Sequence, residues 1–137
     1  MGTAIKWKKE YSVGVSVLDE HHQKLFKILS DLHAALSKKE GRVVIRDVLT
    51  VLLDYTQYHF TEEEKLMTKA ACNGLIAHTE MHAAFAAELL EYKKKADAGM
   101  EEFITTTLMN RLNDWLINHI GRVDKLYAEA MYERGIR

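Results

Sequence analysis

The chain has no proline and a single cysteine among its 137 residues, and each scarcity excludes something. Without proline, no helix meets the missing N–H and ring clash that this residue imposes. Cys72 cannot form an internal disulfide, so a disulfide-stapled scaffold is excluded and a reducing, cytoplasmic setting is expected. No apolar run approaches membrane-spanning length, so no membrane insertion is expected. The opening MGTAIKWKKE lacks the apolar core of a signal peptide. Net charge is −1 with both signs interspersed, which provides no basic surface for nucleic acid. What remains is an ordinary globular composition in a length that suits one domain, residues 1–137.

Apolar spacing divides that domain. Residues 1–17 carry Trp7, Tyr11 and Gly14 without helical period and read as an extended N-terminal arm. Ser16-x-x-Asp19 then resembles a helix start. Leu18, His22, Leu25, Leu29, Leu32 and Leu36 alternate four and three apart, the seam of a bundle helix that ends before Gly41. A second seam runs from Ile45 through Val48, Leu52, Tyr55 and His59 to Glu63 and Leu66. A third runs from Leu75 through His78, His82, Phe85 and Leu89 to Ala96, and Gly99 breaks it. A fourth carries Ile104, Leu108, Leu112, Trp115 and His119. Short connections favour antiparallel neighbours. The expected fold is all-α: an up-down-up-down four-helix bundle over 18–120, with a short C-terminal helix in 121–137 carrying Val123, Leu126, Tyr127 and Ala130.

The seams contain residues that do not belong in an apolar core. His59 and Glu63, in the stretch HFTEEEKLM, are four apart and so face one point on a helix. His78 and His82 repeat the spacing, His22 lies near the start of the first helix, and His119 ends the fourth. In an up-and-down bundle these four helix ends share one end of the molecule. A lone seam histidine is usually a hydrogen-bonded core residue. Five at one level with a carboxylate form a polar cluster too costly to bury unless something joins them, and a dinuclear metal site does so. Asp124 is a candidate seventh ligand. It lies five residues after His119, about 140° around an ideal helix, so Gly121 is expected to let the chain leave helical geometry and swing the carboxylate back. Glu62 and Glu64 read as a solvated charge run, and His21 and His33 as surface residues or residues behind the ligands. Imidazole with carboxylate suits iron, zinc or manganese alike.

With these residues assembled, the chain resembles the hemerythrin family, in its single-domain bacterial form. The matching stretches are LDEHHQKLF around His22, HFTEEEKLM, His78-x-x-x-His82 and WLINHIGRVD ending in Asp124, with Trp7 and Tyr11–Gly14 resembling the family's arm. The resemblance implies two iron ions (Fe2+/Fe3+) with an oxo or hydroxo bridge. His78, His82 and His119 would hold one, His22 and His59 the other, and Glu63 and Asp124 both. Two octahedral ions so supplied keep one open position, on the ion with two histidines. The implied function is reversible dioxygen binding for transport, storage or delivery, without enzymatic activity. Leu116 would line the oxygen pocket, and an oxygen-consuming enzyme would receive the gas from a monomeric carrier. The alternatives are a sensor of oxygen, redox state or nitric oxide, and a di-iron oxidase or peroxidase. Against the enzyme stands the absence of an obvious spare carboxylate, tyrosine or cysteine on the seams.

Overall fold

The computed structural model describes residues 6–37 and 41–137, and their side chains except those of 35–37, 41–44 and 101–105. Four helices form the bundle: α1 (Ser16–Ser37), α2 (Gly41–Lys69), α3 (Leu75–Asp97) and α4 (Glu101–Trp115). Helices adjacent in sequence pack together, and α4 closes against α1 and α2. The chain then continues through a wide π-helical segment (Leu116–Val123), a 3-10 turn (Asp124–Tyr127) and α5 (Ala128–Glu133). Among the described residues there is no strand, and no helix is long and apolar enough to cross a membrane.

The expected seams are largely the buried faces. Leu18, His22, Leu25, Leu29 and Leu32 are all buried in α1. In α2 the buried face lies slightly to one side of the expected line. Leu49, Thr56, Phe60 and Met67 are buried, while Val48, Tyr55 and Leu66 are only half-buried. The physical reason is length: over 29 residues a 3.6-residue helix drifts away from a strict alternation of threes and fours. Gly41 does not punctuate but opens α2. Leu36 and Ile104 lie outside the described side chains. Leu126, expected on the apolar face of the C-terminal piece, is instead 83% exposed.

The arm is anchored to the bundle. Tyr11 stacks on Phe26 with ring centroids 5.4 Å apart. Asp19, expected to support the start of α1, turns back to the arm and accepts from the Ser12 hydroxyl at 2.5 Å and the Val13 N–H at 2.9 Å. Gly14 takes a φ of +76°, which only glycine adopts without strain.

Two apolar clusters result. A large one fills most of the bundle, from Leu25 and Leu32 to Leu108 and Ile120. A smaller one, with Val13, Val15, Leu18, Met67, Tyr127 and Met131, forms where the arm and α5 close one end. A layer of buried polar residues lies within the bundle at that end, drawn from α1, α2 and α3 and from the segments that follow α4.

Candidate metal centre

Among the described residues nine polar or charged ones are buried, and seven of them are the expected ligands: His22, His59, Glu63, His78, His82, His119 and Asp124. Each imidazole presents its Nε2 to a carboxylate. His22 and His59 lie 3.2 Å from Glu63 Oε2, while His78 and His82 lie 2.7 and 3.1 Å from Oε1. Asp124 repeats the division: His22 meets Oδ2 at 3.1 Å, and His78 and His119 meet Oδ1 at 3.0 Å. Both carboxylates therefore straddle the layer, Glu63 with two histidines at each oxygen and Asp124 with two at Oδ1 and one at Oδ2.

Five potential donor groups lie mutually within 4.8 Å on one side, from Glu63, His78, His82, His119 and Asp124, and three on the other, from His22, His59 and Glu63. Asp124 is buried with neither oxygen accepting a hydrogen bond. Buried carboxylate oxygens without such a donor are costly. Cations between the facing nitrogens and oxygens would offset that cost, and the donor chemistry fits two of them.

The electrostatics agree. Burial alone would lower the pKa of His22 and His78, but Asp124 and Glu63 outweigh it and raise both to about 9. Burial wins at His59 and lowers it. Glu63 and Asp124 should rise on burial, yet the surrounding histidines hold both below the usual carboxylate range. The metal-free layer thus pairs its two buried carboxylates with His22 and His78.

Aromatic rings fix the imidazole planes. His82 stacks on Phe60 at 3.7 Å and His119 on Trp115 at 4.2 Å between centroids. Helix geometry places Asp124. In a π-helix the hydrogen bond spans five residues rather than four, so residue i+5 returns to the face of residue i. The Asp124 N–H donates to the His119 carbonyl, closing that wider turn.

A profile of the hemerythrin HHE cation binding domain matches residues 13–131 of this chain. The chain belongs to the hemerythrin family. A bacteriohemerythrin of Stenotrophomonas maltophilia is 33% identical over 125 residues, covering 91% of this chain and 80% of the relative. One of Methylococcus capsulatus is 31% identical over 122 residues, covering 89% and 92%. The crystal structure of a wild-type hemerythrin matches with a TM-score of 0.83 at 30% identity, over 93% of this chain and 98% of that one.

Within this hemerythrin fold, several sequence expectations need correction. Gly121 is not a break. Its φ is not positive, and its role is spatial: a Cβ there would lie 3.5 Å from the Tyr11 ring. Of the two places expected for His21, the one behind the ligands holds. It is buried, and its Nδ1 lies 2.9 Å from Nδ1 of His59. Glu64 is not merely solvated, because its Oε2 lies 2.8 Å from Nδ1 of His82. A tyrosine does reach the centre: the buried Tyr127 hydroxyl donates to Glu63 Oε2 at 3.0 Å. Burial and the nearby charge of Glu63 raise its pKa, so the phenol stays protonated and remains a donor. The sequence signal for Tyr127 was its place three residues after Asp124, one turn along a helix. His33 is half-buried in α1 and belongs to neither group of potential metal ligands.

Leu116 is buried, near the layer but apart from its ligands. It lines a narrow cavity of about 10 Å³ with Leu25, Leu29, Thr56, Leu112 and Trp115 among others. Leu25, Thr56 and Leu116 each lie three residues from a candidate ligand, His22, His59 and His119. The cavity therefore sits about one turn below the layer.

Proposed function

We propose that this hemerythrin binds dioxygen reversibly at two iron ions, as a carrier, store or delivery protein rather than an enzyme. His78, His82 and His119 hold one ion, His22 and His59 the other, and Glu63 and Asp124 contribute an oxygen to each. Two irons held this way supply reversible two-electron chemistry toward dioxygen.

The observation that carries the reading is the apolar cavity about one turn below the layer, which reaches under His22 and His59, the side with fewer histidines, as well as under His82 and His119. The shortfall of one imidazole leaves room for a small exogenous ligand on that side. The polar member of the lining, Thr56, turns its hydroxyl to the Leu52 carbonyl in its own helix. A buried water needs two to four polar partners, which this lining does not offer, so the cavity disfavours water and favours an apolar occupant. Leu116 and its neighbours keep the approach dry. Tyr127, donating to Glu63 Oε2, keeps that carboxylate oriented toward the same side.

The test is an optical titration of the anaerobically reduced, iron-loaded protein with dioxygen, followed by deoxygenation. An absorbance that appears with the gas and disappears on its removal, over repeated cycles and at two irons per chain, is the expected result. Irreversible conversion in the first cycle would sink the carrier reading and favour an oxidase.

A further inference from the structure

The two halves of the layer differ in more than their number of histidines, and the difference lies behind the ligands. An imidazole that offers Nε2 to a cation carries its proton on Nδ1, and the partner of that N–H sets the ring's orientation and donor strength. Behind His82 the partner is a carboxylate, Glu64 Oε2 at 2.8 Å. Behind His59 it is a second imidazole, His21 Nδ1 at 2.9 Å. Behind His22 there is none: its Nδ1 is buried and makes no hydrogen bond.

A charged acceptor pulls on the Nδ1 proton roughly twice as strongly as a neutral one and so makes the far nitrogen a better donor. Two imidazole nitrogens 2.9 Å apart share one proton, so a His59 that donates through Nδ1 requires His21 Nδ1 to accept, as the unprotonated nitrogen of a neutral ring. The three-histidine side thus has a carboxylate-backed ligand. The two-histidine side has one ligand backed by a neutral ring and one without backing.

We infer that Glu64 and His21 are positioning residues that make the two metal positions unequal, so that ions load in order, the three-histidine position first. This inference rests on the proposed ligand set, and it goes further by assigning each partner to one binding step. Glu64 acts on the first ion through His82, and His21 acts on the second through His59. The Glu64 contact is the less expected of the two, since the sequence alone reads that residue as part of a solvated charge run.

The experiment titrates cobalt(II) anaerobically into the metal-free full-length protein, following heat and the visible ligand-field spectrum. The wild type should take up two ions in two resolved steps. Glu64→Ala should weaken the first step about 10–100-fold. Glu64→Gln should weaken it less, because the amide oxygen still accepts from His82 but carries no charge. His21→Leu should weaken the second step about 10–100-fold and leave the first unchanged. His21→Gln should restore it, since its amide oxygen can accept from His59. Far-ultraviolet circular dichroism of each metal-free variant reports folding separately. Failure of the wild type to bind two ions would overturn the ligand set itself. Two ions in one indistinguishable step, equal weakening of both steps by either variant, or no rescue by His21→Gln would overturn the inference while leaving the ligand set intact.

Discussion

The backbone N–H of Asp124 donates to the carbonyl oxygen of His119, five residues earlier, and this widened turn puts both side chains on one face. Asp124 consequently reaches His22 and His78 as well as His119, with nitrogen–oxygen distances of 3.0 to 3.1 Å. The turn is made without a special backbone angle at Gly121.

Gly121→Ala is therefore expected to keep the centre. The added methyl meets the Tyr11 ring at an ordinary contact distance of 3.5 Å. The gain in helix propensity is about 0.5–1 kcal/mol at most. Iron content and denaturant midpoint should match or slightly exceed the wild type. Loss of iron in this variant would reinstate the glycine as the hinge.

Glu63→Ala should lose at least one of two irons while the helices persist in weakened form. Its two oxygens serve the two sides of the layer separately, so no single neighbour can substitute. His78→Ala should also lose iron, and His33→Ala, outside both ligand groups, should keep two. Iron analysis beside circular dichroism checks all three. Full occupancy in Glu63→Ala would end its assignment to both ions.

Leu116→Ala should retain iron but shorten the life of the oxygenated form. Leu116 is 5% exposed, and truncating a buried leucine costs about 2–5 kcal/mol through the cavity it leaves. The enlarged space admits water to the dry side of the layer. Decay of the oxygenated absorbance at matched iron content measures the effect. Equal decay in variant and wild type would remove Leu116 from the pocket.

The metal-free protein should be most stable near pH 6.5. His22 and His78 are raised from 6.5 to about 9, so their stabilisation is complete below 6.5 and is lost as pH climbs through 9. His21 and His59 are lowered, so they favour the fold above 6.5 and oppose it as pH falls. The depressed carboxylates of Glu63 and Asp124 add to the loss at still lower pH. Metal ions compete with protons for the same nitrogens, so the stabilisation they add should grow with pH. Urea midpoints at about pH 4.5, 6.5 and 9 measure the profile. A metal-free midpoint that rises steadily to the highest pH would contradict the paired state of His22 and His78.

The sequence by itself determined the all-α bundle and six of the seven side chains in the layer, all but Asp124. Both follow from local periodicity: residues three and four apart share a helix face, and short connections turn alternate helices over. His59 with Glu63, and His78 with His82, were legible for that reason. Tertiary structure decided what faces the layer from behind and how its oxygens are shared. The contacts of His21 with His59, Glu64 with His82 and Tyr127 with Glu63 join residues 38, 18 and 64 positions apart. They depend on the rotation of each helix about its own axis. The angle of about 100° that turned His21 away from His22 on α1 carries it toward α2, and only the packed neighbour makes that direction an interior one. The wide turn before Asp124 has the same origin. Nothing in LINHIGRV forbids an ordinary helix, and Asp124 finds its histidine partners only where the turn widens.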